Sequence, residues 1–417
     1  MQIIQTLAAR ALIEVLSGKN LNEIFAATLA RSSQLAAGDR AALRDLCFGT
    51  LRHYGQVRAT LNLLVTRPLT DPFVDKLLSV AIYQLLHTRA AQHAIVDQAV
   101  KAASEHQQGR LKGLVNGVLR SFLRQQDSLA QQITKDTVGF WNHPEWWIAE
   151  VRQAYPGQWK AILKAGNDHP PMSLRVNTRR GTPEHYLARL AEQDMAADLI
   201  GESAIRLVQA VPVDKLPGFA DGDVSVQDAG AQLAAEWLDA QAGMRVLDAC
   251  SAPGGKTGHL LEKYADLNLL ALDSDRKRLG RVEDNLRRLG LHATLKQGDA
   301  GRPADWWDGQ LFDRILADVP CSASGVARRQ PDIKWTRRST DIRQFAQQQA
   351  AIVDALWPLL AQGGKLLYVT CSLFPAENNR QIEAFLSRHA DAVLECETQL
   401  IPDAEHDGFY YARLAKS

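Results

Sequence analysis

The chain has 417 residues, enough for two or three domains with ample core. Its 48 basic and 47 acidic side chains leave a net charge of +1, so no global field draws it to nucleic acid and any RNA-binding surface must be local. Five scattered cysteines without a C-x-x-C pair argue against a disulfide framework or a structural zinc and for a reducing cytoplasm, and no apolar run or cleavable signal supports membrane insertion or secretion.

From Gln2 to about Ser128 the apolar residues recur at helical spacing. Ile3, Ile4, Leu7, Ala11, Leu12, Val15 and Leu16 form one such stripe, and Leu77, Val80, Ala81, Gln84 and Leu85 another. Pro and Gly mark helix ends, and strand alternation is missing, so a bundle of six or seven helices with short loops is expected. Three segments resemble the NusB-type antitermination fold: Leu46-Cys47-Phe48-Gly49-Thr50-Leu51-Arg52, Tyr83-Gln84-Leu85-Leu86-His87-Thr88-Arg89, and Lys112-Gly113-Leu114-Val115-Asn116-Gly117-Val118-Leu119-Arg120. In that family the bundle binds RNA. Arg52, Arg58, Arg89, Lys112, Arg120 and Arg124 are read either as ordinary solvated helix charges or as a basic face on RNA phosphates. Cys47, amid apolar neighbours, reads as a core thiol.

The character changes near Trp141-Asn142-His143-Pro144-Glu145-Trp146-Trp147, whose tryptophans read as core or domain-interface anchors. With Ala154-Tyr155-Pro156 this stretch resembles the entry to the ribosomal RNA cytosine-5 methyltransferases. Met172 to Asn177 alternates as a strand, Pro183 to Gln193 reads as a helix, and Ala204 to Val208 as another strand. A small α+β unit is therefore expected over about 145–222, bounded by Pro217-Gly218-Phe219 and Asp221-Gly222. The family likeness implies that it flanks the RNA channel.

The catalytic third opens with Val246-Leu247-Asp248, a short buried strand ending in an acid. Cys250-Ser251-Ala252-Pro253-Gly254-Gly255-Lys256 follows, a tight glycine turn leading directly into a helix that carries Leu260 and Leu261. Strand, turn and helix N-terminus make a nucleotide-binding corner. The glycines fit neither the dinucleotide nor the triphosphate fingerprint. Two further strand-like runs end in Asp273 and Asp299. An acid after each of three successive strands resembles the S-adenosyl-L-methionine site of Rossmann-like methyltransferases. That likeness implies the methionine part at the first corner, the ribose at Asp273 and the adenine at Asp299.

Two cysteines then fall at matching places. Phe312 to Asp318 is an apolar strand running into Asp318-Val319-Pro320-Cys321, and Gly363 to Thr370 is another running into Cys371-Ser372. Both strands end at the carboxyl edge of a parallel sheet, where α/β sites lie, which would bring the cysteines together. The pairing suits methylation at carbon 5 of cytosine, a carbon not nucleophilic enough by itself. A thiolate adding to carbon 6 makes an enamine while an acid shares a proton with nitrogen 3, carbon 5 attacks the sulfonium methyl, and a base then removes the carbon-5 proton so that the thiolate is eliminated. Asp318, Cys321 and Cys371 can fill these three roles. An amino-group methyltransferase would show a Pro-Pro-aromatic corner and no thiol.

These motifs, with Arg328-Arg329-Gln330-Pro331-Asp332-Ile333-Lys334-Trp335, resemble the RsmB (Sun/Fmu) family of bacterial 16S ribosomal RNA cytosine-5 methyltransferases over nearly the whole chain. The resemblance implies Cys371 as nucleophile and Cys321 as the residue of product release. Asp-Val-Pro-Cys and Cys-Ser-Ala-Pro depart from the commoner Asp-Ala-Pro-Cys and Cys-Ala-Ala-Pro, leaving every reacting group in place. The candidate catalytic set is Cys371, Cys321, Asp318 and Lys256. The cofactor set is Cys250, Ser251, Ala252, Pro253, Gly254, Gly255, Lys256, Asp273, Asp299 and Asp318, for S-adenosyl-L-methionine.

Arg328, Arg329, Lys334, Arg337 and Arg338, directly after the cysteine loop, are read as a phosphate clamp beside the target base. No cluster suggests a metal, and Cys250 and Cys396 read as small buried hydrophobes. The expected architecture is multidomain: an all-α NusB-like bundle over 1–135, an α+β connector over 136–222 and a Rossmann-like α/β methyltransferase domain over 223–417. The expected partner is 16S ribosomal RNA, protein-free or in an early assembly intermediate, met by a monomer. The alternative is an RNA-binding ribosome-assembly factor whose methyltransferase domain is vestigial.

Overall fold

A computed structural model describes residues 2–417. They divide into two compact units, the first taking in the chain up to Asp168 together with Ala327–Ser339, the second His169–Val326 with Thr340–Ser417.

Among the described residues the first unit begins with seven α-helices, Gln2–Leu16, Leu21–Arg31, Ala37–Arg52, Tyr54–Leu64, Pro72–His87, Gln92–Glu105 and Lys112–Ile133, as the apolar spacing predicts. Leu12, Leu46, Leu77, Ala81, Leu119 and Phe122 meet in one core. Cys47 lies in that core, and burial pushes its thiol up to about 12. Asn20 and Asp71 cap the second and fifth helices by accepting from Glu23 and Val74 N–H groups. The stretch 136–222 is shared between the two units. Its helices Thr137–Trp141, Glu145–Ala154 and Trp159–Ala165 belong to this unit, with Trp147, Val151 and Leu163 buried. Asn142, in the left-handed region, ends the first of them and accepts from the Gln56 N–H at 2.8 Å.

The second unit holds two sheets. In the smaller, β1 (Met172–Val176), β2 (Ala197–Leu199), β3 (Ala204–Leu207) and β4 (Val224–Val226) are ordered β2-β3-β1-β4 with every pairing antiparallel. The pairing Val176↔Val224 carries this sheet past the boundary read at 222, because the turn at Asp221-Gly222 reverses the chain onto β1. The larger sheet contains β5 (Arg245–Asp248), β6 (Asn268–Asp273), β7 (Thr294–Gln297), β8 (Phe312–Asp318), β9 (Leu360–Thr370), β10 (Ala392–Leu400) and β11 (Phe409–Lys416), ordered β10-β11-β9-β8-β5-β6-β7. Pairings from β7 through β9 are parallel, and β11 is antiparallel to both β9 and β10. Strand order reverses between β5 and β8, which puts a crevice at their carboxyl ends. Leu247, Ile315, Leu366 and Tyr410 fill one face of this sheet and Val246, Leu316, Leu367 and Tyr411 the other.

No helix among the described residues is long and apolar enough to cross a membrane.

Candidate active site

The site grows from the ends of five strands, β5 to β9. Past β5 the chain makes a turn through Ser251-Ala252-Pro253-Gly254, with a cis Ala252–Pro253 bond and Gly254 N donating to Ser251 O at 2.7 Å. Gly254 has φ +95°, a backbone conformation that favours glycine, and a Cβ there, 3.1 Å from Val282, would also have to push that residue back by a few tenths of an ångström. Asn285 and Arg278, from the helix Arg276–Leu289, hold the Pro253 and Ala252 carbonyls at 2.8 and 3.1 Å. Asp273, at the end of β6, accepts from the Ala252 N–H at 3.2 Å and the Asp275 N–H at 3.0 Å. Asp299, past β7, keeps about half its side chain in solvent (51 %) and accepts from the Gly301 N–H at 2.9 Å. The acids expected after the three strands thus stand along the edge of one parallel sheet.

This cradle has unspent hydrogen-bonding capacity. Asp248 Oδ1 and Ser251 Oγ are buried without a partner, the mark of groups built to meet a ligand. Asp248 Oδ2 accepts from Thr257 Oγ1 at 2.7 Å. Burial raises the Asp248 carboxyl to about 7 against the pull of Thr257, with Asp318 and Asp273 adding to the rise and Lys256 opposing it. Acceptors, acids and a turn whose backbone favours glycine fit a cationic, polar cofactor of the S-adenosyl-L-methionine class.

Lys256, in the first turn of the helix Gly255–Lys263, places its Nζ 2.6 Å from Asp318 Oδ2. Burial works against its charge, but Asp318, then Cys371 and Asp248, outweigh it, and the ammonium is held more firmly than usual. Because Asp318 faces Val369 across the β8–β9 register, both chains leave the sheet at the same level. Gly325 N reaches Cys371 O at 2.8 Å, and the two sulfurs come to 3.4 Å. The cysteines expected to meet do meet. Cys321 holds its proton tightly: the hydrogen bond to Cys371, then burial, then the negative charges of Cys371 and Glu377 push its thiol well above the usual value. Cys371, Cys321, Asp318 and Lys256 therefore form one cluster next to the cofactor turn.

The basic run behaves otherwise. Ala327–Ser339 belongs to the helical unit. Lys334 is fully buried, its Nζ donating to Arg52 O and Asn167 Oδ1, both at 2.8 Å. Burial, with the Arg52 guanidinium nearby, pushes its pKa well below the usual lysine range. Arg328 is buried as well, and its carbonyl accepts from Arg52 Nη2 at 3.0 Å. Lys334 and Arg328 are corrected from phosphate clamps to residues of the folded helical unit, because side chains buried from solvent are out of reach of a phosphate. Arg52 leaves the set of solvated charges because it too is buried. Arg338 is exposed, and Arg329 and Arg337 are half-buried.

Two residues were not singled out from the sequence. Arg175 on β1 is buried and forks onto both Glu262 carboxylate oxygens at 2.7 and 2.8 Å, and its Nη1 donates to Gly255 O at 2.7 Å, bracing the cofactor helix. Glu377 is buried between the cysteine loops. Nothing in Leu174-Arg175-Val176 or Pro375-Ala376-Glu377 marks these roles locally; an ionisable residue inside an apolar strand is the one available hint for Arg175.

The family model for the 16S rRNA methyltransferase RsmB/F matches residues 235–415, its ferredoxin-like domain 143–214, and the NusB family model 2–124. Ribosomal RNA small subunit methyltransferase B of Serratia proteamaculans (strain 568) is 45% identical over 426 residues, covering 99% of this chain and 98% of that protein. The chain belongs to the 16S rRNA methyltransferase RsmB/F family. The protein of the same name from Escherichia coli (strain SMS-3-5 / SECEC) is 46% identical over 427 residues, with the same coverage. Among solved structures, PH0851 shares the fold over 99% of both chains at a TM-score of 0.81 and 22% identity. A methyltransferase homolog protein from Pyrococcus horikoshii aligns with 68% of this chain and 98% of its own, at a TM-score of 0.59 and 26% identity. The NusB bundle and the Rossmann-like methyltransferase sheet read from the sequence are thus those of a methyltransferase family that works on ribosomal RNA.

Proposed function

We propose that this RsmB/F family member transfers a methyl group from S-adenosyl-L-methionine to carbon 5 of a cytosine in 16S ribosomal RNA, through a bond between Cys371 Sγ and carbon 6 of the base. The observation that carries the reading is the pair of thiols 3.4 Å apart, beside the Lys256–Asp318 ion pair at 2.6 Å. An amino-group methyltransferase has no use for two thiols at this edge.

Asp248, Ser251, the Gly254 turn, Asp273 and Asp299 would hold the cofactor, which supplies an electrophilic methyl group. Cys371 adds to carbon 6 as a thiolate. As electrons move toward nitrogen 3, Asp318 relays to that nitrogen a proton that Lys256 Nζ donates to it, which keeps the ring from accumulating negative charge. Carbon 5 then takes the methyl group. Once Cys371 is bonded to carbon it no longer accepts from Cys321 or repels its ionised form, so two of the causes holding the Cys321 proton vanish. Cys321 gives that proton to water and accepts the one on carbon 5. The carbon 5–carbon 6 double bond re-forms, the sulfur–carbon bond breaks, Cys371 leaves as thiolate, and nitrogen 3 returns its proton to Asp318.

The base must be splayed out of any stack to meet these groups, which favours a loop cytosine in protein-free RNA or an early assembly intermediate. The vestigial-domain alternative loses its ground, since a decayed site would not keep both the Lys256–Asp318 ion pair and the Cys321–Cys371 contact.

The test is methyl transfer to protein-free 16S RNA with mapping of the product base, in parallel with two variants. Cys371→Ala is expected to abolish both methylation and adduct, and Cys321→Ala to leave an RNA–protein adduct that survives denaturation. Normal turnover by Cys321→Ala would remove the release role, and methylation by Cys371→Ala would remove the nucleophile.

A further inference from the structure

Behind the two thiols lies a carboxylate that the reaction as described does not use. Glu377 is buried. It accepts from Ser322 N at 2.8 Å, Ser322 Oγ at 2.6 Å, Ser372 Oγ at 2.5 Å and Gln349 Nε2 at 3.1 Å. Ser322 directly follows Cys321, and Ser372 directly follows Cys371. Ser324 extends the clasp, its Oγ 3.2 Å from both Ser322 Oγ and Ser372 Oγ and accepting from Leu373 N at 2.7 Å. Gln349, which also donates to Pro320 O at 2.9 Å, ties the same carboxylate to the approach of the Cys321 loop.

We propose that Glu377 is the positioning residue of the thiol pair: its carboxylate, gripped at once by the residue after each cysteine, holds the Cys321 and Cys371 loops in mutual reach. The inference rests on the reading of these cysteines as nucleophile and release base. An acceptor-only group is what the place demands, because both hydroxyls and a backbone N–H point at it. Four donors offset much of the cost of burying it: burial raises its pKa, while Ser322, Ser372 and Gln349 pull it back. Glu377 also acts on Cys321 through its charge. The groups facing the Cys321 sulfur are Cys371, Glu377 and Tyr368, and on the far side Lys256 faces Cys371.

The test is Glu377→Gln in the full chain. It keeps the shape but turns an amide N–H₂ toward hydroxyls that were donating. The kcat for methyl transfer is expected to fall about 10- to 100-fold, the equivalent of one or two charge-assisted hydrogen bonds, with the KM for S-adenosyl-L-methionine little changed. In a Cys371→Ser background, the pH midpoint for alkylation of Cys321, read peptide by peptide, is expected to move down when Glu377→Gln is added. A merely structural residue would not move that midpoint. Ser322→Ala and Ser372→Ala, made singly and together, form a second route should Glu377→Gln melt early: their losses in kcat should couple rather than add. A folded Glu377→Gln with wild-type kcat and an unmoved Cys321 midpoint overturns the proposal, as does simple additivity of the serine variants. The adduct in Cys321→Ala is scored with Glu377 intact, so failure of the cysteine reading and failure of this inference are told apart.

Discussion

A buried acid shows how one residue's surroundings decide its chemistry. Asp248 sits at a strand end that sequence alone identifies, yet its titration is set by burial and by the acids on neighbouring strands, Asp318 and Asp273. Its folded pKa, about 7, lies above the ordinary aspartate value of 3.8. The fold therefore favours the protonated form: the stability it contributes is fully present below the ordinary value and is lost as pH rises through about 7. Asp248→Asn, uncharged at every pH, should gain on the wild type between pH 4 and 8, by at most about 4 kcal/mol. Melting temperatures of both proteins across that range, without cofactor, check this; parallel curves would refute it. Lys256 runs the other way, since Asp318 at 2.6 Å more than offsets its burial and keeps it cationic.

At the scale of elements, the segment after the cysteine loop gives the clearest departure from expectation. A run of five cations within a short stretch reads as a phosphate-binding surface, and charge density alone supports that. The structure uses the stretch to finish helices. The helix Ala37–Arg52 ends with carbonyls that have no intrahelical partner; Trp335 Nε1 donates to Leu51 O at 2.7 Å and Lys334 Nζ to Arg52 O at 2.8 Å. Asp332 Oδ2 accepts from Leu21 N at 3.2 Å, serving the N-terminus of the helix Leu21–Arg31. Trp335 also lies edge-on to Tyr54, ring centroids 5.3 Å apart. Lys334→Met should thus lower stability by about 2–4 kcal/mol, because it strands two buried acceptors. RNA affinity should keep its salt dependence. Loss of about one unit of salt slope with unchanged melting would restore the clamp.

For the molecule as a whole, domain limits read from composition differ from the compact units. The Trp141–Tyr155 region is helical and joins the bundle, whereas β4, beyond the expected limit, belongs to the small sheet. The helical unit is also discontinuous, since it includes Ala327–Ser339. A fragment of residues 2–168 should accordingly melt below the same helices in the intact chain, and a peptide of residues 327–339 should raise its melting temperature saturably. No response to the peptide would mean that these hydrogen bonds contribute little net stability.

Much was legible because it is local or periodic. Apolar spacing in the first third predicts the helices, since one face of each must be buried. The apolar runs Val246-Leu247, Leu269 to Leu272 and Ile315 to Ala317, each ending in an acid, announce parallel strands buried on both faces. The Pro-Gly-Gly turn shows itself because φ +95° at Gly254 favours glycine. Even the meeting of Cys321 and Cys371 follows from two strands ending alike in one sheet. What needed the tertiary structure was every case in which a polar residue's partner lies far along the chain. Lys334 reads as a phosphate clamp until Arg52 O and Asn167 are seen beside it. Arg175 is an oddity in a strand until Glu262 meets it. Glu377 looks like the opening of a helix until two serines, each next to a thiol, converge on its carboxylate. Side-chain pattern determines which elements form, because burial of a face is a local property. Which charge is spent on structure and which is left for chemistry depends on burial and on distant partners, and only the folded chain decides these.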